Sequence, residues 1–187
     1  ALPVHSIDGL VPDQPGTISH VAGKVVIESI AVATAAVLAG RCRAIVTAPI
    51  HKAALYGAGF KYPGHTEYLA ALCARGGVTP LPVMMLAHDD LRVVPLTIHV
   101  PLRDVPGLVT PALIAETLRI VAHDLRTRFG IAAPRIGVCG LNPHAGESGS
   151  IGTEDRDIIL PTVLALQAEG IAVDGPFSAD TAFHLPN

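Results

Sequence analysis

The stretch TPALIAETLRIVAHDLRTRFGIAAPRIGVCGLNPH, residues 110–144, decides the fold class. Thr110 followed by Pro111 is a strong helix start, because an N-cap residue precedes a proline in the first turn. Apolar residues then recur at helical spacing until Gly130. The apolar run over residues 135–141 predicts a buried strand that leads into a histidine-bearing loop. A helix followed closely by a buried strand predicts an α/β protein.

The same alternation extends towards the amino terminus. Ser19 predicts the cap of a helix that runs to Leu38 and is apolar on most faces, so we expect this helix to be well buried. The run RAIVT, residues 43–47, predicts a short strand, and Thr66 predicts the cap of another short helix.

The remaining segments predict further strands and one more helix. Residues 82–87 and 91–98 predict two strands joined by a tight connection, with an edge position or a bulge at Pro95. Residues 154–169 predict a helix, and Pro161 predicts either a kink in it or a later start. A short strand and then a loop are predicted after this helix.

Composition limits the function classes. The chain has 187 residues, half of them hydrophobic and 16% charged, with a net charge of −3 and no tryptophan. Such a chain offers neither a basic field nor an aromatic surface for nucleic acid. Since no uninterrupted run of about 18 apolar residues occurs, we predict no membrane span. Three unpaired cysteines and the absence of a signal-peptide pattern predict a cytoplasmic protein.

Two histidines stand where predicted strands end. His99 follows the apolar run of residues 93–98, and His144 follows that of residues 136–141. Histidines at the ends of parallel strands can converge on one crevice and bind a metal ion, although such a site needs at least one more ligand. The alternative is that both are ordinary histidines, since the chain has nine.

Two carboxylates in the same loops, Asp104 and Glu147, are candidates for orienting the imidazole N–H groups. In the segment GHTE, residues 64–67, the start of a helix can bind an anion, and His65 can add a hydrogen bond to a phosphate. A simple N-cap with a solvent-facing histidine is the alternative. His51 faces either the predicted crevice or a surface turn.

Five motifs, in this order, make the chain resemble the 4-hydroxythreonine-4-phosphate dehydrogenase family of pyridoxal phosphate biosynthesis. They are TAPIHKAAL (47–55), GHTEYLA (64–70), HVPLRDVP (99–106), CGLNPHAGESGSIGTED (139–155) and GPFSADTAF (175–183).

This resemblance implies a two-domain α/β/α fold like that of isocitrate and isopropylmalate dehydrogenases, of which residues 1–187 would form one truncated unit: the central domain and part of the flanking domain. It implies a homodimer that uses NAD or NADP and one divalent metal ion (zinc, magnesium or cobalt) to oxidise and decarboxylate a small phosphorylated amino acid. By motif match, His99 and His144 would bind the metal, and His65 and Thr66 would bind the substrate. No catalytic residue is assigned.

The family's third metal-binding histidine lies in a motif that these 187 residues do not contain, so we expect the chain to be inactive by itself. Two alternatives stay open at this point: a paralogue that oxidises a related hydroxy acid or diol, and a non-catalytic module for metal binding or dimerisation.

Overall fold

The computed structural model describes residues 4–9, 11, 13–14, 16–89 and 91–183. The chain divides into two compact units, Ala1–Pro82 and Val83–Asn187, and each unit has its own hydrophobic core. The loop predicted after the last strand includes residues 184–187, which lie outside the described residues.

The first unit is helical. It contains α1 (His20–Leu38), α2 (Lys52–Gly57) and α3 (His65–Leu72). The Ser19 hydroxyl accepts a hydrogen bond from the backbone N–H of Ala22 at 3.2 Å, which confirms the predicted start of α1.

Aromatic residues form the core between these helices. The Phe60 and Tyr68 rings pack edge to face at 5.1 Å, beside the buried side chains of Ile30 and Leu55. The Tyr68 hydroxyl donates to the carbonyl of Ile27 at 3.2 Å, and burial raises the pKa of this phenol.

The surface of α1 differs from the prediction. Of its 19 residues, those buried are Gly23, Ile30 and Thr34, so the prediction of a well-buried helix is wrong. The neighbours α2 and α3 leave much of its apolar surface exposed. In length and composition α1 also meets the criterion for a membrane-crossing helix, with a mean hydropathy of 1.9. A core helix or a signal sequence meets the same criterion, so this alone does not identify a span.

Two local predictions in the first unit are also wrong. Residues 43–47 form no strand, and Val46 is 98% exposed. A strand requires a neighbour that pairs with its backbone groups, and the described residues provide none here. Helix α3 begins at His65 rather than after Thr66, and its N-cap, Gly64, makes no side-chain hydrogen bond.

The second unit begins with the predicted hairpin. Strands β1 (Leu86–His88) and β2 (Leu91–Val93) pair antiparallel, with Ala87 opposite Arg92. Strand β2 ends two residues before Pro95, which has no N–H group to donate to a ladder.

A 3-10 turn at Leu102–Asp104 and the short α4 (Val105–Leu108) lead to α5 (Pro111–Thr127). The Thr110 hydroxyl accepts from the backbone N–H of Leu113 at 3.2 Å, so the predicted start of α5 is confirmed.

A parallel strand pair completes this unit. Strands β3 (Ile136–Cys139) and β4 (Val173–Phe177) are parallel, and the connection between them contains a π-helical turn (Asp155–Ile159) followed by α6 (Leu160–Ala168). This strand–helix–strand arrangement confirms the α/β class. The wide turn precedes Pro161, which cannot donate the regular helical hydrogen bond and so favours a local change of pitch.

The core of the second unit lies between α5, α6 and β4. Leu166, Val163 and Val173 are at most 1% exposed and pack with Ile114 and Leu118. This packing fixes α6 against the parallel pair and so fixes the carboxyl ends of both strands.

Candidate active site

A buried carboxylate holds the carboxyl end of β3. Asp155 is 1% exposed and accepts hydrogen bonds from the backbone N–H groups of Leu141 at 2.8 Å and Asn142 at 3.1 Å. The side-chain amide of Asn142 donates to the same carboxylate at 2.9 Å and to Glu154 at 2.8 Å. The bond from Asn142 is the main reason that the pKa of Glu154 lies below its usual value.

Small residues make this close approach possible. A β-carbon on Gly140 would lie 2.7 Å from Oδ1 of Asp155, and one on Gly152 would lie 2.6 Å from the side chain of Asn142. Either substitution would displace the hydrogen-bonded groups, so glycine at these positions is a condition of the anchor.

The loop that follows has an unusual backbone. Its φ angles are 51° at His144, 51° at Ala145, 77° at Gly146, 41° at Glu147 and 59° at Ser148, so five consecutive residues lie in the left-handed region. Each non-glycine residue there costs about 1–2 kcal/mol relative to the right-handed region. Strain of this kind persists where surrounding contacts fix the chain, and it is frequent at functional sites.

His144 lies beside an acidic residue from the end of β4. Its Nδ1 atom is 3.7 Å from Oδ2 of Asp180, and both side chains are 57% exposed. The two residues border a cleft of about 350 Å³, together with Gly140, Leu141, Asn142, Pro143 and Ala179. A hydrogen bond from the Ser178 hydroxyl is the main cause that holds the pKa of Asp180 below its usual value, and backbone hydrogen bonding at Asp180 and then the nearby His144 act in the same direction.

Sequence reasoning did not single out Asp180 as a site residue. The signal that could have found it is its position three residues after the end of β4. Since β3 and β4 are parallel, His144 after β3 and Asp180 after β4 lie at the same edge of the pair. A carboxylate near Nδ1 favours the tautomer with hydrogen on that atom, which leaves Nε2 able to bind a metal or accept a proton.

The other predicted metal ligand, His99, is exposed and has a φ of 57°. It is not among the residues that line the cleft at His144. Within the described ranges, no group of three or more His, Cys, Asp or Glu residues is arranged to hold a metal ion. The pair His99 and His144 therefore stays a prediction, and the donors fit a metal only if further ligands join them.

The two candidate orienting carboxylates have other surroundings. Asp104 lies 3.6 Å from Arg103, and Glu147 is exposed and accepts hydrogen bonds at its backbone carbonyl from Ser150. Neither side chain is hydrogen-bonded to a histidine in the part of the chain that the structure describes, so their orienting role also stays a prediction.

In the first unit, the start of α3 contains unsatisfied polar atoms. Nε2 of His65 and Oε2 of Glu67 are buried and have no hydrogen-bond partner among the described residues. Buried polar atoms without partners are uncommon and are consistent with a position for a polar ligand. His51, by contrast, caps α2, since its Nδ1 accepts from the N–H of Ala54 at 3.4 Å.

Comparison with known proteins gives one consistent result. Residues 1–187 match the family model described as "Pyridoxal phosphate biosynthetic protein PdxA". The chain is 56% identical over 171 residues to the 4-hydroxythreonine-4-phosphate dehydrogenase of Methylorubrum populi, covering 91% of this chain and 49% of that protein. It is 52% identical over 184 residues to the enzyme of the same name from Bradyrhizobium diazoefficiens, covering 98% of this chain and 53% of that protein.

Solved structures agree. A 4-hydroxythreonine-4-phosphate dehydrogenase from Klebsiella pneumoniae matches with a TM-score of 0.82 and 40% identity, covering 91% of this chain and 51% of that one. A terephthalate 1,2-cis-dihydrodiol dehydrogenase from Burkholderia xenovorans matches with a TM-score of 0.68 and 27% identity, covering 94% and 56%. The chain thus spans about half the length of the relatives that it matches.

Proposed function

The chain belongs to the pyridoxal phosphate biosynthetic protein PdxA family, and from this premise we propose that it is the central part of a 4-hydroxythreonine-4-phosphate dehydrogenase. The reaction would be the NAD- or NADP-dependent oxidation of 4-phosphohydroxy-L-threonine, with decarboxylation to 3-amino-2-oxopropyl phosphate. The observation that carries the proposal is the placement of His144 beside Asp180 at the common edge of β3 and β4, in a chain that matches this family throughout.

His144 and Asp180 supply the reactive side of the proposed site. The Asp180 carboxylate lies 3.7 Å from Nδ1 of His144, and a carboxylate in this position favours hydrogen on Nδ1 and leaves Nε2 unprotonated. We propose that His99 and His144 are the two ligands that this chain contributes to a divalent ion (zinc, magnesium or cobalt). When bound, such an ion lowers the pKa of a substrate alcohol and stabilises negative charge on its oxygen.

His65 and Thr66 are the proposed substrate contacts. The unsatisfied Nε2 of His65 can donate or accept a hydrogen bond at the start of α3. Since the N-cap Gly64 makes no side-chain bond, the first N–H groups of this helix can also interact with an anionic group such as a phosphate. This arrangement supports recognition of the phosphorylated end of the substrate.

Several broader features belong to the same proposal. They are the two-domain fold of the isocitrate and isopropylmalate dehydrogenase type, a boundary that leaves the central domain and part of the flanking domain in residues 1–187, a homodimer, and a cytoplasmic location. The coverage of about half of each relative supports the partial-domain reading.

A second candidate is oxidation of a related hydroxy acid or diol. The match to a cis-dihydrodiol dehydrogenase at 27% identity supports this second candidate. The identity to proteins named for the phosphorylated substrate is about twice as high. The unsatisfied His65 also suits a substrate with an anionic end.

A chimera tests the proposal. Residues 1–187 replace the matched segment of the Bradyrhizobium diazoefficiens enzyme, and formation of NADH or NADPH is followed with 4-phosphohydroxy-L-threonine and zinc, magnesium or cobalt. We expect the chimera to turn over the substrate, and we expect His144→Ala to lower its rate at least 100-fold. The isolated chain should show no turnover. A folded chimera that is inactive beside an active parent enzyme would overturn the proposal. Activity only with a cis-dihydrodiol would select the second candidate, and metal binding without turnover of either substrate would select a non-catalytic module.

A further inference from the structure

We propose that Asp155 is the positioning residue for His144. Its carboxylate anchors the last residues before the His144 loop and so holds the imidazole beside Asp180. This inference rests on the proposed function, in which His144 is a functional side chain.

The anchor is a complete hydrogen-bond site inside the protein. The Asp155 carboxylate receives the N–H groups of Leu141 and Asn142 and the side-chain amide of Asn142, at 2.8, 3.1 and 2.9 Å. Hydrogen bonds to a charged acceptor are the strong ones, and a buried carboxylate requires them. At 1% exposure, Asp155 therefore fixes the backbone at Leu141 and Asn142.

The anchored residues come directly before the strained loop. Asn142 lies two residues before His144, and the backbone carbonyl of Asn142 accepts from the N–H of Ala145 at 3.1 Å. The non-glycine residues between His144 and Ser148 do not favour the left-handed conformation by themselves. This left-handed run requires a fixed attachment at its start, and the Asp155 site provides one.

The loop is also closed on its far side near the same carboxylate. A β-carbon on Gly146 would lie 3.3 Å from Oδ2 of Asp155 and 2.9 Å from the carbonyl oxygen of Gly152. The N–H of Ile151 donates to the carbonyl of Gly146 at 3.1 Å. Asp155 thus lies against both the start and the middle of the loop, and its own place is set by the π-helical turn at Asp155–Ile159. The π-helical turn therefore places the Asp155 carboxylate against the loop.

Asp155→Asn tests the inference in the 187-residue chain. The variant keeps the size of the side chain but removes its charge and replaces one acceptor oxygen with a donor that faces N–H groups. Asp157→Asn is the matched control, because it removes the same charge two residues away, where the carboxylate is exposed and contacts Arg156. Three quantities are measured by NMR at a temperature where every variant is folded: the HN–Hα couplings of residues 144–148, the Overhauser contact between the His144 ring and Asp180, and the affinity for cobalt from broadening of the His144 ring signals.

We expect Asp155→Asn to change the couplings, remove the contact and weaken cobalt binding about tenfold or more, whereas Asp157→Asn changes none of them. A folded Asp155→Asn protein with the wild-type couplings, contact and affinity would overturn the inference, even if its thermal stability fell. If Asp155→Asn does not fold, Asn142→Ala removes one of the three bonds and should give the same changes at smaller size; no change there would also overturn it. If the wild-type chain, which lacks the further metal ligands, binds no cobalt, the couplings and the contact alone decide on Asp155.

Discussion

Nδ1 of His144 and Oδ2 of Asp180 lie 3.7 Å apart, although 36 positions separate them in the sequence. They meet because β3 and β4 are parallel, with Gly137 opposite Asp174. Side chains that follow two parallel neighbours emerge at one edge, which is where ligands bind in α/β proteins.

This pair leads to the first prediction. Asp180→Asn keeps the shape of the side chain but removes the charge that favours hydrogen on Nδ1 of His144. We expect the cobalt affinity measured at His144 to fall about tenfold. Asp174→Asn is the control, because Asp174 lies on the same β4 strand and contacts Gln167 instead. Equal affinities in the two variants would show that Asp180 does not act on His144.

Local signals explain which parts of the fold the sequence could predict. Ser19 and Thr110 each cap a helix through their own hydroxyl, so α1 and α5 begin where predicted. The run at residues 43–47 carries an equally clear strand pattern but forms none. A cap is complete within four residues, whereas a strand depends on a partner elsewhere in the chain.

The same reasoning applies to the candidate site. His144 was visible in the sequence because a glycine-rich loop follows an apolar run. Asp180 was not, because its place depends on the register of β3 and β4. Asp155 lies at the start of the helix predicted for residues 154–169, but its carboxylate accepts hydrogen bonds from the backbone after the end of β3. Only the three-dimensional arrangement shows that this carboxylate supports the histidine loop.

The left-handed backbone at Ser148 gives the second prediction. This residue is exposed with a φ of 59°, so Ser148→Gly removes a local strain of about 1–2 kcal/mol from the folded state. The glycine also increases the entropy of the unfolded chain, which lowers stability by about 0.5–1 kcal/mol. We expect the free energy of unfolding in urea to rise by about 0.5–1 kcal/mol. Ser150→Gly should lower it instead, because Ser150 has a φ of −76° and its hydroxyl donates to Glu147. The same sign for both variants would contradict this account of the loop.

The third prediction concerns the close approach at Gly140. In Gly140→Ala the new β-carbon would meet Oδ1 of Asp155 at 2.7 Å and break the bonds to that carboxylate. We expect a loss of about 2–3 kcal/mol in the free energy of unfolding, since buried groups would lose charged hydrogen bonds. Gly107→Ala is the control: it lies in α4 with open space around its β-carbon position and should leave stability unchanged or raise it slightly. A Gly140→Ala protein as stable as the wild type would show that the anchor tolerates displacement.

The ion pair between α5 and the end of α6 gives the fourth prediction, which concerns pH. Nε and Nη2 of Arg119 donate to Glu169 at 2.8 and 2.5 Å, and this bonding lowers the pKa of the Glu169 carboxyl. A lowered folded-state pKa contributes stability above the ordinary glutamate pKa of about 4.3, and this stability is lost as the pH falls through the folded value. Arg119→Gln should therefore lower the melting temperature at pH 7 by less than about 3 °C, because the pair is exposed.

The difference in melting temperature between Arg119→Gln and the wild type should decrease below about pH 4.3 and disappear once the pH is below the folded-state pKa of Glu169. Arg126→Gln on the exposed surface of α5 is the control and should show no such dependence. Melting temperatures between pH 7 and about pH 3 measure both variants. A difference that stays constant across this range would mean that Arg119 acts through packing rather than through the charge of Glu169.

The fifth prediction tests the core that fixes the edge of the parallel strands. Leu166 on α6 is 0% exposed, and its replacement by alanine removes buried apolar contacts and leaves a cavity. We expect Leu166→Ala to lower the free energy of unfolding by about 2–5 kcal/mol. Leu164→Ala changes the same residue type on the same helix at a position that is 54% exposed, and it should cost less than about 1 kcal/mol. Because α6 also sets the place of Asp155 through the preceding π-helical turn, Leu166→Ala should in addition weaken the contact between His144 and Asp180, and Leu164→Ala should not. Equal losses of stability in the two variants would show that α6 does not pack against β4 as described.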